Sequence, residues 1–289
     1  LSLQGRLREK TLNTWISKRI LPNSREGLKE VRSCFPGFEK YRHLFSLSDQ
    51  YWFSYSDSDS WEKGNFFTNT YPTTIGDMFF TPWSVSYHGE LIESPDMTSN
   101  GVLKKQWVQD DDHISYLLKA GSKEYHQEPI SEVLASMFLE KLGIVDTVHY
   151  DLTIHGLKVC SKCKNFVDEN TEFIPAAQIY RKEPRNPAQE SVYDHLIRMC
   201  NTYGASFAKP YIDNMIAADR MLGNDDRHLG NFGFLRDVNT GQIIRFAPLF
   251  DNGSAFWDST KRPNRFQIAK ETADAIVTEV FAELEGAIE

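Results

Sequence analysis

The stretch GNDDRHLGNFGFL, Gly223 to Leu235, sets two acids, an arginine, a histidine and an asparagine in a loop bounded by glycines. His228 stands two residues after Asp226, and Asn231 five residues after it. An acidic loop alone is usually a solvated turn, so its meaning rests on what flanks it. Upstream, AKPYIDNMIAADRMLG reads as an amphipathic helix. Downstream, NFGFLRD, a VNTG turn and QIIRFAPLFD read as a β-hairpin. Asp251, in APLFDNGS, lies at the far end of that hairpin.

A hairpin brings its two open ends together, so Asn231 and Asp251 can face one point. An amide carbonyl and a carboxylate are hard oxygen donors, suited to Mg2+ bridging nucleotide phosphates. Asp226 can then orient or deprotonate an attacking hydroxyl. A base, a metal clamp and positioned phosphates are the parts that phosphoryl transfer requires. Asp225 reads as a turn or helix-end residue.

The preceding part of the chain supplies a cation. NGVLKKQWV and ISYLLKAG are β-type runs separated by QDDDH, and PISEVLASMFLEKLG follows as a helix. Val133, Leu134, Met137, Phe138 and Leu142 give that helix an apolar face. TVHYDLTIHG and GLKVCSK read as two more strands. Lys119, near the end of an apolar strand, can hold an ammonium against phosphates; as a strand-end residue it can equally snorkel to solvent. Lys104 and Lys105 compete for the role from the strand before. Glu132, in the first turn of the helix, either pairs with the strand lysine, as in protein kinases, or is a charge favoured by the helix dipole. SPDMTSNG, Ser94 to Gly101, is small and polar, with backbone donors able to cover phosphates.

The rest of the chain bounds these readings. TLNTWISKRILP and REGLKEVRSCF read as short helices, and LFSLSDQYWFSY and SDSDSWEKGN as irregular segments. QESVYDHLIRMCNTYG and ETADAIVTEVFAELEGAI read as helices. The 289 residues carry a net charge of −8, which is no nucleic-acid footprint. Aromatics at 13% and hydrophobic residues at 40% support a core. VCSKC has the spacing of half a zinc site, but no second pair follows it. Cys34, Cys160, Cys163 and Cys200 therefore read as ordinary thiols. No apolar run reaches the length of a membrane span, so no membrane and a cytoplasmic location are expected.

The order loop, strand, strand with Lys, helix with Glu, helices, DxxxxN, hairpin and Asp resembles the protein kinase fold. DRHLGN and APLFD are similar to the DxHxxN catalytic loop and the aPLYD-type metal motif of the HipA-like kinases. The DRHxxN form also resembles the catalytic loop of the phosphatidylinositol 3- and 4-kinases. The resemblance covers roughly residues 94 to 257. It implies an α+β, two-lobed kinase-like fold: an accessory region over 1–75, a sheet-rich N-lobe over 76–175 and a helical C-lobe over 176–289.

The resemblance also implies ATP and Mg2+ as cofactors. It makes Asp226 the catalytic Asp, with His228 supporting the loop or the developing charge. Asn231 and Asp251 would hold the metal, and Lys119, steadied by Glu132, would meet the phosphates. Ser94, Thr98, Ser99 and Gly101 would lie in the phosphate-covering loop, and Glu172, Phe173 and Ile174 in the hinge meeting adenine. HipA-like loops often carry a Lys directly before the Asn; here that position is Gly230. The metal motif continues as DNG rather than DFG, so no Phe-flip switch is expected.

Three functions fit. The first is a HipA-like serine/threonine kinase acting on a protein, with an antitoxin-type partner, no direct nucleic-acid binding, and self-phosphorylation within 94–101. The second is a lipid or small-molecule kinase. The third is a non-catalytic nucleotide-binding module.

Overall fold

In the computed structural model the described residues are 17, 19, 21–35, 49–51, 60–82, 94–99, 101–123, 126–256, 274–280 and 282. The helix expected over TLNTWISKRILP and the segment LFSLSDQYWFSY lie largely outside them. SDSDSWEKGN, read as irregular, is described from Ser60 on, and Trp61–Gly64 there forms one short helical turn. The chain forms two compact units. The first is Leu1–Pro129 with Asp151–Glu169, and the second is Ile130–Tyr150 with Asn170–Glu289.

In the first unit, helices α1 (Leu28–Cys34), α2 (Trp61–Gly64) and α3 (Thr74–Phe80) precede strands β1 (Lys105–Gln109) and β2 (Ser115–Ala120). Strand β3 (Tyr150–His155), which starts at the unit boundary, and β4 (Lys158–Lys164) complete an antiparallel sheet of order β1-β2-β4-β3. Strand β2 is therefore internal, with Lys119 paired in register with Lys105 on one side and Ser161 on the other. Apolar side chains of α1 and α3 (Leu28, Val31, Ile75, Met78, Phe79) share one core with Ala120 and Cys160 of the sheet. The accessory helices and the sheet thus bury one another's apolar faces, the main source of their stability.

The second unit holds most of α4 (Glu128–Leu142), then β5 (Thr171–Pro175), α5 (Ala176–Tyr180), α6 (Val192–Thr202), α7 (Ala208–Leu222), β6 (Gly233–Asp237) and β7 (Ile243–Phe246). A capping box starts α6, with Ser191 and Asp194 each satisfying the other's backbone N–H. The hairpin read from the sequence is present, with Phe234 opposite Phe246. Strand β5 adds a third strand to it, Ile174 opposite Phe234. Gly233 is required at that seam: a Cβ there would lie 2.1 Å from the Ile174 carbonyl oxygen. Residues 274–280 are helical, and Ile276 and Val280 join the core built on Leu196, Met199, Ile212, Met215, Phe232 and Phe234.

The apolar face expected on the helix α4 is not the buried one. Leu134, Met137 and Phe138 are exposed, whereas Ser131, Glu132, Ala135, Ser136 and Leu139 are buried. Small side chains allow close packing on that side, and the Ser136 hydroxyl is held by the Val133 carbonyl (2.9 Å) and the Tyr150 N–H (3.3 Å). Apolar count alone therefore selected the wrong face. Among the described residues no helix is long and apolar enough to cross a membrane, and the four cysteines are free thiols.

Candidate active site

Helix α7 delivers the quoted loop. Its buried face carries Ile212, Met215, Ile216, Asp219 and Leu222, the spacing of a single helical stripe. Asp219 is thus a carboxylate at a core position, which demands a partner. The partner is Arg227, only 3% exposed. Its Nε and Nη2 donate to the two Asp219 carboxylate oxygens, each at 2.9 Å. Asn224 Nδ2 also donates to Asp219 (2.9 Å).

The other donors of Arg227 reach forward along the chain. Nη1 donates to the carbonyl of Asn231 (2.9 Å) and to the carbonyl of Phe250 (2.6 Å). Nη2 donates to Asn252 Oδ1. One guanidinium therefore ties the loop holding Asp226 and Asn231 to the residues on both sides of Asp251. Burial would lower the Arg227 pKa, but the attraction and hydrogen bonds of Asp219, and then Asp251, raise it above the ordinary value. The side chain stays cationic.

The loop is folded on itself. Asp226 carbonyl accepts the His228 N–H (2.9 Å), and His228 carbonyl accepts the Asn231 N–H (2.8 Å). Asn231 Nδ2 donates to the Asp226 carbonyl (3.3 Å), which leaves its Oδ1 as the end for a cation. His228 Nδ1 accepts the Gly230 N–H (3.0 Å), so the proton of a neutral ring sits on Nε2. A Cβ on Gly230 would meet that ring at 2.9 Å, so the glycine where HipA-like loops often carry Lys makes room for the imidazole.

Asp251 has φ 60, a left-handed backbone that Asp tolerates better than most residues. Its N–H donates to the Tyr150 hydroxyl (3.2 Å). Two residues earlier, Leu249 exchanges backbone hydrogen bonds with Asp146 and Val148, both at 2.8 Å. Asp226, His228 and Asp251 are half-buried and Asn231 is buried.

In the same unit, Glu172, Phe173 and Ile174 lie on β5. The Glu172 carboxylate pairs with Arg236 at 2.6 Å, the Phe173 ring packs edge-on against Phe250, and Ile174 is in the core. That leaves backbone groups, rather than the Glu172 carboxylate, for a ligand. Glu132 is buried in the second turn of α4.

The first unit carries Lys119 and the 94–101 segment. Lys119 is 5% exposed, whereas its competitors Lys104 and Lys105 are half-buried. Ser94, Thr98 and Ser99 are buried, and their hydroxyls are bonded within the protein. Ser94 Oγ donates to the Asp96 carboxylate (3.3 Å), Thr98 Oγ1 donates to the Pro95 carbonyl (3.1 Å), and Ser99 Oγ accepts from Trp107 Nε1 (3.1 Å). Gly101 adopts φ 98. Arg25 donates to the Ser99 and Leu103 carbonyls. Burial pushes the Asp96 carboxyl up to about 7, against hydrogen bonds from the Trp107 N–H and Ser94 and the charge of Arg25.

No family model matches the chain. Over 134 residues it is 29% identical to the serine/threonine-protein kinase CtkA of Helicobacter pylori, covering 44% of this chain. The chain is a sequence relative of a serine/threonine kinase. It spans only 40% of that relative's length. The solved H. pylori proinflammatory kinase CtkA overlays 66% of this chain and 64% of its own, with a TM-score of 0.48 and 22% identity. HipA, in a Shewanella oneidensis complex with HipB and operator DNA, overlays 57% of this chain and 46% of its own, with a TM-score of 0.37 and 15% identity. The resemblance to HipA-like kinases read from DRHLGN and APLFD stands beside these likenesses.

The residues missed in the sequence are the supports: Asp219, Arg227, Asn252 and Tyr150. A signal for one pair was present. Asp219 falls on the apolar stripe of α7, and an acid there calls for a buried base nearby.

Proposed function

We propose that the chain is an ATP- and magnesium-dependent phosphotransferase of the HipA-like kind, moving the γ-phosphate to a serine or threonine hydroxyl of a protein. The observation that carries this reading is the Arg227 guanidinium joining the DRHLGN loop to both neighbours of Asp251.

The donor set fits magnesium. Asn231 Oδ1 and the Asp251 carboxylate are hard oxygens, and Mg2+ on a nucleotide takes one or two protein carboxylates with phosphates and waters completing its shell. Bound there, magnesium would neutralise the β- and γ-phosphate charge. Asp226 would orient the acceptor hydroxyl and take its proton as that oxygen bonds to the γ-phosphorus and the bond to the leaving ADP oxygen breaks. His228, with Nε2–H as donor, would stabilise the phosphoryl oxygens. Lys119, Glu132, the 94–101 segment and the 172–174 hinge keep the roles that the resemblance implies, as does an antitoxin-type partner protein. The DRHxxN order favours one second reading, a lipid or small-molecule acceptor.

ATP labelled at the γ-phosphate, incubated with Mg2+ and cell extract, separates them. Label on protein is expected. ATP consumed without labelled protein would favour the second reading, and no consumption would leave a nucleotide-binding module. The buried hydroxyls of Ser94, Thr98 and Ser99 mean that self-phosphorylation there requires the segment to open.

A further inference from the structure

We propose that Arg227 is a positioning residue for the metal of this site: it sets the separation of Asn231 from Asp251 and touches neither nucleotide nor acceptor. The inference rests on the phosphotransferase reading.

An arginine side chain has five N–H donors in a rigid fork. All five are committed here, two to Asp219, one to the Asn231 carbonyl, one to the Phe250 carbonyl and one to Asn252 Oδ1. Asp219 balances its charge inside the protein, so neither a donor nor an uncompensated cation remains for phosphate. That distinguishes it from an arginine that reaches a substrate.

The distribution of acceptors gives the function. One is the carbonyl of Asn231 itself. The other two beyond Asp219 bracket Asp251, one residue on each side. The Asp251 N–H is held separately by the Tyr150 hydroxyl. The left-handed backbone of Asp251 is therefore fixed at three successive residues. Such a conformation costs on the order of 1 kcal/mol or more and persists where its surroundings over-determine it. Both metal-binding residues are thus referenced to one planar group, itself anchored on α7 by Asp219.

Lysine cannot reproduce this. It offers three donors from one point rather than a five-donor fork. Arg227→Lys keeps a charge beside Asp219 but releases part of the linkage. Asn252→Ala removes one acceptor and no charge, so it remains informative if Arg227→Lys does not fold.

The test titrates Mg2+ against binding of a fluorescent ATP analogue and, in parallel, against phosphoryl transfer. Arg227→Lys is expected to bind nucleotide in EDTA as wild type does. Its half-saturating Mg2+ concentration should rise about tenfold, and transfer should fall on the order of 100-fold, as for a displacement of about 1 Å at a reacting centre. Asn252→Ala should move both in the same direction by less. Unchanged magnesium dependence in folded Arg227→Lys and Asn252→Ala, whatever their melting temperatures, would overturn the proposal. The binding arm needs no turnover. A wild type that binds Mg-ATP without transferring it removes the phosphotransferase reading, while the magnesium shift still decides the role of Arg227. A wild type blind to magnesium removes both.

Discussion

Replacing Asp219 by alanine strands the Arg227 guanidinium in the interior. The side chains of Asp219 and Arg227 are 11% and 3% exposed. Water cannot take over the two lost hydrogen bonds to Arg227, and the Asn224 side chain loses its acceptor as well. Removing one partner of a buried, hydrogen-bonded ion pair costs about 3–5 kcal/mol. The Arg198–Glu183 pair gives the contrast: its side chains are 44% and 40% exposed, and such pairs contribute about 0–1 kcal/mol. Urea unfolding followed by circular dichroism should show this difference between Asp219→Ala and Glu183→Ala. The double variant Asp219→Leu with Arg227→Met removes the stranded charge and should recover part of the stability, but not all, because the carbonyls of Asn231 and Phe250 and Asn252 Oδ1 lose their donor. It should not recover transfer, because the linkage between Asn231 and Asp251 is gone. A loss below about 1 kcal/mol for Asp219→Ala would refute the reasoning, since it would place the pair in the range of exposed ones.

Two further outcomes follow from the geometry. Burial favours the neutral form of Asp96, its carboxyl raised from 3.8 to about 7. Its contribution to stability is therefore full below its ordinary value and is lost as pH rises through about 7, a span worth up to roughly 4 kcal/mol. Asp96→Asn should remove much of the fall in melting temperature between about pH 4 and 7; an unchanged pH profile would count against it. Gly233→Ala should destabilise the second unit by more than about 1 kcal/mol, because its Cβ has no room beside the Ile174 carbonyl. Denaturant midpoints measure this, and a neutral substitution would contradict the close approach of β5 and β6.

Much of this architecture was legible in the sequence. The alternation and turns of NFGFLRD, VNTG and QIIRFAPLFD gave the hairpin, because strand and turn chemistry is local. The spacing of Asp226, His228 and Asn231 marked the loop. Strand β5 was less legible: TEFIP is short, and only its pairing with β6 makes it a strand. The α4 face was misread because its buried side is lined with Ser131, Ser136 and Ala135, where packing depends on neighbours far along the chain. Arg227 sat within the quoted motif, yet its role depends on carbonyls of Asn231 and Phe250, and a backbone acceptor has no sequence signature.

The most direct measurement compares wild type with Asp226→Ala, each loaded with γ-labelled Mg-ATP and mixed with protein acceptor from extract. Equal nucleotide binding with labelled acceptor from wild type alone is the expected result. Transfer by Asp226→Ala at the wild-type rate would contradict the assignment of Asp226 and, with it, the phosphotransferase reading of the loop.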